Sequence, residues 1–168
     1  HKPDRRQRQM CIRDRYKVPH IHRLPPPDHM SGYDDYEFPV PKTFFDDFST
    51  RSPFVSKTWM ALKGMKGHVL NIAPLESEIE TNPNLIPPFL SEMTTKQRKA
   101  WHQAYDPRNK RYRELEKQHK LQGDERNLYV YQRFIKDYVR CIDGLDAQIG
   151  RILRFLDEEG LAENTLLL

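Results

Sequence analysis

Hydrophobic residues recur every three or four positions over about residues 125–159 and predict one long amphipathic helix there. The apolar positions are Tyr131, Phe134, Ile135, Tyr138, Ile142, Leu145, Ile149, Ile152, Leu153 and Leu156. The polar positions between them are Arg133, Lys136, Asp137, Arg140, Asp143, Arg151 and Arg154. We therefore expect this helix to pack through its apolar face and to keep its charges in water. Gly150 costs such a helix about 1 kcal/mol relative to alanine, so we expect a close contact there, with Gly160 as the C-cap.

Shorter helices are predicted from their capping residues. Ser52 followed by Pro53 is a typical helix start, because a proline at the first helical position loses no hydrogen bond. The expected apolar contacts of that helix are Phe54, Met60 and Leu62. A capping box at residues 94–97 predicts another helix, which continues to about residue 105.

A separate surface helix is expected to begin at Asp106 and Pro107, to run to about residue 121, and to end before Gly123. Its main apolar contacts are expected to be Tyr112 and Leu115. Residues 16–41 are rich in proline, which favours an extended, ordered loop over a helix.

The apolar run at residues 161–168 predicts a buried strand after the long helix. A helix followed closely by a buried strand is half of an α/β unit. In such sheets, ligands and catalytic groups gather beyond the carboxyl end of the strand. The chain stops inside the predicted strand, and we expect both of its ends to be truncations.

The net charge of +4 is concentrated at the start of the chain. Residues 1–23 carry +6 and the remainder carries −2, so the charge does not indicate a nucleic-acid partner. The arginine-rich segment 5–15 holds no aromatic residue for base stacking and resembles a translated sequencing adaptor. We predict residues 1–15 to be a non-native or disordered basic segment and residues 16–168 to be part of one domain.

Some classes of protein are excluded by composition. No apolar run approaches the roughly 20 residues of a membrane span, and the first residues show no apolar signal-peptide region, which we expect if the start of the chain is a truncation. Cys11 and Cys141 make neither a disulfide framework nor a zinc cluster. Cys141 lies at the edge of the apolar face of the long helix and is expected to behave as a small buried hydrophobe.

Lys17 and His20, in the sequence Lys-Val-Pro-His, are the candidate catalytic residues. In polyproline II geometry, with its period of three, both side chains would point the same way. An ammonium group and an imidazole on one side of a loop suit an anionic substrate with a leaving oxygen: the lysine holds the anionic oxygens and the histidine protonates the leaving group. The alternative is that both are ordinary solvent-exposed polar residues.

Metal sites are weaker hypotheses. His20, His22 and His29 are close in sequence, but three prolines intervene and no cysteine lies near to complete a zinc site. The acidic pairs at residues 34–35 and 46–47 lack the alternating oxygen ligands of a calcium loop. We expect both pairs to be surface residues and predict no metal ligand in the chain.

A long run near the end of the chain resembles a known family. Residues 131–156, YQRFIKDYVRCIDGLDAQIGRILRFL, and residues 160–166, GLAENTL, are similar to the type I sulfatases. In that family a helix of the pattern Asp-x-x-(Val/Ile)-Gly-Arg-(Ile/Leu)-Leu-x-x-Leu precedes Gly-Leu-x-x-Asn-Thr and a core strand. Residues 36–48, YEFPVPKTFFDDF, with 93–101, MTTKQRKAW, and 104–107, AYDP, resemble bacterial N-acetylglucosamine-6-sulfatase-like members.

The resemblance implies an α/β, alkaline-phosphatase-like sulfatase fold. The chain would be an internal, mostly helical and loop fragment of its N-terminal catalytic domain, ending in a core strand. The implied reaction is hydrolysis of sulfate esters, by a formylglycine made from Cys or Ser beside a bound Ca²⁺. The family has a Lys-x-Pro-His-like segment that contacts the sulfate and leaving group, which matches Lys17 and His20. Cys11 does not match the formylglycine signature, because Arg13 stands where Pro or Ala is needed.

The nucleophile and the metal ligands are therefore expected outside the chain, and the chain alone is expected to be inactive. The implied partners are a sulfated glycan, in glycosaminoglycan degradation and with 6-sulfated N-acetylglucosamine as the expected unit, and a formylglycine-generating or sulfatase-maturing enzyme. The implied location is periplasmic or secreted. Two alternatives stay open: a phosphoesterase or phosphonate hydrolase of the same superfamily, and a non-catalytic helical interaction module with a basic arm.

Overall fold

The computed structural model describes residues 17–57, 62–65 and 67–167. The α-helices are α1 (Pro53–Ser56), α2 (Glu76–Thr81), α3 (Pro88–Ser91), α4 (Thr95–Lys117) and α5 (Gly123–Glu158). Short 3₁₀ turns lie at Pro27–His29, Leu62–Gly64, Gly67–Val69, Pro83–Leu85 and Ala162–Asn164. The described part of the chain is helix and loop, without a strand. Residues 1–15, predicted to be a non-native or disordered arm, lie outside the described residues.

A small hydrophobic core lies where α3 and α4 meet the loop before and after the turn at Pro27–His29. Trp101 and Tyr105, one turn apart on α4, stack with ring centroids 4.8 Å apart and are fully buried. Met30, Ala73 and Leu90 complete this core. Apolar groups from four separate segments thus fix how the loops cross α4.

Helix α5 confirms the long helix predicted from periodicity, but towards α4 and the loops it buries a stripe that includes charged residues predicted to lie in water. Its buried residues are Val130, Arg133, Asp137, Arg140, Cys141 and Gly144. They form one stripe at helical spacing and include three charged residues that were expected in water. In contrast, apolar positions of the predicted core face are 36–42% exposed at Ile142, Ile149, Ile152 and Leu153. Hydrogen bonds to loop and α4 groups decided which face turned inward.

Helix α4 replaces the two helices expected on either side of residue 106. Pro107 lies inside a continuous helix, although an interior proline removes one backbone hydrogen bond and costs about 3 kcal/mol or more. Tyr105 and Asn109 are both fully buried, so packing holds the helix in line on each side of the proline. Asp106 does not begin a helix of its own: its carboxylate lies 2.9 Å from His102 Nδ1 and accepts a 2.9 Å hydrogen bond from the N–H of Glu76, the first residue of α2.

The glycines and caps around the long helices follow the sequence in part. The capping box at Thr94 and Gln97 is formed, as predicted. Gly123 was expected to follow the end of a helix at about residue 121, but α4 ends at Lys117 and Gly123 is the first residue of α5, with φ +51°. The C-cap of α5 is Glu159, and Gly160 is the residue after it, with φ +65°; Gly160 therefore ends the helix as predicted, one position beyond the C-cap itself.

Helix α1 begins as predicted, with the Ser52 side chain accepting a hydrogen bond from the Phe54 N–H. The expected apolar contact of Phe54 is absent, since this ring is 83% exposed. Leu62 lies in a separate 3₁₀ turn, and Met60 lies outside the described residues.

The buried strand expected at residues 161–168 is not formed in its described part. Ala162–Asn164 is a 3₁₀ turn, and Leu166 and Leu167 are 81% and 58% exposed. A strand needs a neighbouring strand for its backbone hydrogen bonds, and the described residues supply none. This corrects the prediction that the chain ends in a core strand.

The close glycine contact on α5 is at Gly144, not at Gly150 as predicted. A Cβ at Gly144 would overlap Pro26 Cδ and lie 2.7 Å from Pro26 Cγ, whereas at Gly150 the nearest neighbour is the flexible end of Arg154, at 3.4 Å. The Pro-rich loop therefore crosses α5 directly against the Gly144 backbone.

Opposite effects on stability are expected at these two glycines. Gly144→Ala should lower the free energy of unfolding by about 1–3 kcal/mol, because Pro26 must move. Gly150→Ala, the matched control, should raise it by up to about 1 kcal/mol through helix propensity. Urea denaturation of both variants measures this, and a stabilised Gly144→Ala variant would contradict the close approach.

Two further sequence predictions concern single features. Cys141 is fully buried as predicted, and burial raises the pKa of its thiol to about 12, so it is an inert packing residue. No helix in the described ranges is both long and apolar enough to cross a membrane.

Candidate functional site

The candidate catalytic residues Lys17 and His20 occupy the two ends of a tight turn. The His20 N–H donates to the Lys17 carbonyl at 3.0 Å, and the Val18–Pro19 peptide bond between them is cis. The predicted polyproline II geometry is therefore wrong at this point. A turn of this kind still keeps its two end residues within about 7 Å of each other at Cα. Both side chains are exposed, so an anionic group in solution can reach them.

The imidazole of His20 has a defined orientation. Its Nδ1 lies 2.7 Å from the Ile21 carbonyl oxygen. A carbonyl can only accept a hydrogen bond, so Nδ1 carries a hydrogen. Nε2 is then the nitrogen that accepts or delivers a proton. This arrangement is suited to general acid–base chemistry at Nε2.

Arg23, three residues after His20, anchors the turn to α5. Its guanidinium lies 4.1 Å from the ring centroid of Phe134 and donates to the Val69 carbonyl at 3.3 Å. Burial lowers the pKa of Arg23, and the nearby carboxylate of Asp137 opposes that shift. The chain leaving the turn is thus fixed by a cation–π contact and a hydrogen bond.

Asn71 joins this chain to the interior of the molecule. Its side-chain Nδ2 donates both to the Arg23 carbonyl at 2.8 Å and to Asp137 Oδ2 at 2.9 Å. Asn71 is fully buried and has φ +52°, a left-handed conformation that asparagine tolerates better than most residues. One amide group therefore bridges the backbone next to the turn and a buried carboxylate on α5.

Asp137 is the centre of the buried polar network. This carboxylate is 1% exposed and accepts hydrogen bonds from the Tyr105 hydroxyl at 2.9 Å and from Arg140 at 2.8 Å, besides that from Asn71. Burial, with the charge of Asp137, raises the pKa of Tyr105 well above its ordinary value, so this phenol stays a donor. Arg140 also donates to the Gly32 carbonyl and to Asp34, at 2.6 Å each.

Arg133 holds the loop around Asn71 in place. Its guanidinium donates to the carbonyls of Leu70 at 2.7 Å and Asn71 at 3.3 Å, and to the Asn109 side chain. Burial lowers the pKa of Arg133, although Asp137 opposes that shift. Carbonyl acceptors on all sides make this buried cation tolerable.

The other sequence candidates serve structural roles. The His22 ring stacks on Phe89 with centroids 4.4 Å apart. Asp46 pairs with Arg51 at 2.6 Å, and this hydrogen bond, with one from a backbone N–H, lowers the pKa of Asp46. Within residues 17–57, 62–65 and 67–167 no group of three His, Cys, Asp or Glu side chains could hold a metal ion.

Sequence reasoning missed the network of Asn71, Arg133, Asp137 and Arg140. The charged members were assigned to the solvated face of α5 because charges usually lie there. A signal was present: they share one helical stripe with Val130 and Cys141. Asn71 carried no such signal, since its partners are far away in sequence.

Comparison with known proteins connects the chain to sulfatases. No family model matches it. It is 25% identical, over 159 residues, to an N-acetylglucosamine-6-O-sulfatase of Bacteroides thetaiotaomicron, covering 94% of this chain and 28% of that protein. A solved structure, BT4656 in complex with its substrate D-glucosamine-2-N,6-O-disulfate, matches with a TM-score of 0.76 and 25% identity, over 89% of this chain and 30% of the other.

These similarities confirm the resemblance to an N-acetylglucosamine-6-sulfatase that the sequence motifs indicated. The chain spans less than a third of the length of either protein. Neither similarity identifies the roles of Lys17 and His20, which stay predictions.

Proposed function

We propose that the chain is part of a sulfuric ester hydrolase that removes sulfate from sulfated glycans, with 6-sulfated N-acetylglucosamine as the unit it acts on. The observation that carries this proposal is the 25% identity over 94% of the chain to an N-acetylglucosamine-6-O-sulfatase. The fold likeness to a structure holding a glucosamine disulfate supports the same substrate class. Glycosaminoglycan degradation in the periplasm or outside a bacterial cell is the setting that we propose.

Lys17 and His20 are the residues that we propose act on the substrate. The ammonium group of Lys17 would hold the anionic sulfate oxygens. It would also offset the negative charge that builds up on the leaving oxygen as the S–O bond breaks. His20 would donate a proton from Nε2 to the leaving oxygen, since its Nδ1 is directed to the Ile21 carbonyl. The turn between them sets their separation, and Asn71 holds the chain that follows it.

Calcium and a formylglycine are proposed as groups of the whole enzyme and not of this chain. The part of the chain that is described contains no set of three ligands for a metal ion. Arg13, two positions after Cys11, stands where the formylglycine signature needs Pro or Ala. The residues of this chain thus fit neither a calcium site nor a formylglycine, and we assign no step of the reaction to either group. A formylglycine-generating or sulfatase-maturing enzyme is the corresponding proposed partner.

The proposed fold is an alkaline-phosphatase-like α/β domain, to which this chain contributes helices and loops. The exposed apolar side chains on α5, Ile142, Ile149, Ile152 and Leu153, support it. An apolar helix stripe of this kind is typical of a helix that packs on a sheet.

The test is hydrolysis by the full natural polypeptide that contains this chain. We expect release of inorganic sulfate from N-acetylglucosamine-6-sulfate, and slower release of phosphate from N-acetylglucosamine-6-phosphate under the same conditions. Faster release of phosphate would favour the phosphoesterase alternative. If protein that has been treated with a maturing enzyme hydrolyses neither ester, the non-catalytic helical module becomes the better hypothesis.

A further inference from the structure

Four cationic side chains line a small cavity between α4 and α5. The cavity has a volume of about 180 Å³ and its cations are Arg108, Arg133, Lys136 and Arg140. Two carboxylates, those of Asp34 and Asp137, face the same space. The lining therefore carries two positive charges more than its own carboxylates neutralise.

Two of the cations have their hydrogen bonds made within the protein. Arg133 is held by backbone carbonyls and the Asn109 side chain, and Arg140 is paired with both Asp137 and Asp34. These two guanidinium groups build the wall of the cavity. The positive charge available to a ligand must come from the other two.

Arg108 and Lys136 keep donors for a ligand. Arg108 grips the Asp34 carboxylate through Nε and Nη2, at 3.1 and 2.7 Å, but its buried Nη1 has no hydrogen-bond partner in the described structure. Lys136 Nζ donates to the Asp34 carbonyl at 3.0 Å, and an ammonium group has three hydrogens to give. A buried donor without a partner costs about 1–3 kcal/mol, which an acceptor would offset.

Lys136 is partly withdrawn from water at this cavity. Its burial is the largest cause that lowers the pKa of the ammonium group, the charge of Arg140 lowers that pKa further, and the carboxylates of Asp34 and Glu37 oppose the shift.

We propose that this cavity binds a tetrahedral oxyanion, a sulfate group, between Arg108 and Lys136. The volume of about 180 Å³ is several times the roughly 30 Å³ that one water occupies, so a sulfate fits with room for solvent. The choice of sulfate over other oxyanions rests on the proposed function. Lys17 and His20 are not part of this cavity.

A larger, open cavity adjoins the first and shares Asp34, Arg108 and Tyr129 with it. Its volume of about 700 Å³ lies in the range of small-molecule sites, and Arg111 and Gln103 line it. The bound sulfate can thus be free in solution or attached to a saccharide whose rings lie in the larger cavity. Both sources present the same group to Arg108 and Lys136.

The position of the anion is tested with sodium selenate, a sulfate analogue whose selenium is located by anomalous diffraction. Crystals of the full natural polypeptide, wild type and variants, are soaked under identical conditions. We expect a selenium peak between Arg108 and Lys136 in the wild type and in Lys110→Gln, and no peak there in Lys136→Gln. Lys110 is an exposed lysine of α4 that lines neither cavity, so its variant controls for loss of one positive charge.

Binding in solution is measured by titration calorimetry with the same selenate against chloride of equal ionic strength. Lys136→Gln should weaken binding at this site about tenfold or more, while Lys110→Gln leaves it unchanged. If Lys136→Gln has a lower melting temperature than the wild type, the same titration is carried out with Arg108→Gln, which should also weaken selenate binding. If the bound sulfate belongs to a saccharide, Arg111→Gln should weaken the binding of a sulfated monosaccharide but not that of selenate. If the bound sulfate is free, Arg111→Gln should change neither affinity.

No selenium peak in the wild-type cleft, or a peak that persists in Lys136→Gln, would overturn the proposal. An active sulfatase without this peak refutes the anion site alone. A peak in a protein that hydrolyses no sulfate ester refutes the proposed function and leaves the site in place.

Discussion

Replacing Lys17 by alanine in the full natural polypeptide is expected to lower kcat for sulfate ester hydrolysis by about 100-fold or more. That is the usual loss when one preorganised group that stabilises developing charge is removed. The physical reason is that negative charge builds up on the leaving oxygen as the S–O bond breaks, and we propose that the ammonium group of Lys17 lies beside that charge. The side chain of Lys17 is exposed, so its variant should fold normally.

The measurement is sulfate release from N-acetylglucosamine-6-sulfate, with kcat and KM determined separately. Lys42→Ala, an exposed lysine in the same loop-rich half of the chain, is the matched control and should retain the wild-type rate. His20→Ala should lose its rate mainly for esters with a poor leaving group, since a proton donor matters least when the leaving oxygen is already a weak base. A wild-type rate for Lys17→Ala would remove this residue from the site.

Replacing Asp137 by alanine is expected to cost about 3–5 kcal/mol of the free energy of unfolding, which is a large fraction of the 5–15 kcal/mol of a typical domain. Asp137 is 1% exposed and accepts hydrogen bonds from Tyr105, Asn71 and Arg140. Its removal leaves the Arg140 guanidinium, itself 2% exposed, with one buried partner fewer.

Chemical denaturation of the full natural polypeptide measures this loss, with Asp146→Ala as the control. Asp146 lies on the same helix and is exposed, so its replacement should change stability by less than about 0.5 kcal/mol. A loss of the same small size for Asp137→Ala would mean that the buried network contributes little to stability.

Local signals in the sequence predicted the helices well wherever the residues of one segment alone determine the position and the ends of the helix. The 3.6-residue period predicted α5, the capping box predicted the start of α4, and Gly160 marks the end of α5. The same signals failed at Pro107, because packing of Tyr105 and Asn109 on both sides keeps α4 continuous at the cost of one backbone hydrogen bond.

The candidate site likewise contains residues that the sequence could indicate and one that it could not. Lys17 and His20 could be chosen from the sequence, since a Lys-x-Pro-His segment is recognisable on its own. Asn71 could not be chosen, because its role depends on the Arg23 carbonyl, 48 residues away, and on the Asp137 carboxylate, 66 residues away.

The sequence by itself determined the helix periods, the caps and the resemblance to a sulfatase, because each depends on residues a few positions apart. Only the tertiary structure decided which face of α5 turns inward. Periodicity ranks faces by hydropathy, yet Arg133, Asp137 and Arg140 are buried while Ile149 and Leu153 are exposed. The reason is that a buried charge is stable when specific partners satisfy it, and those partners come from loops and helices that no local pattern brings together.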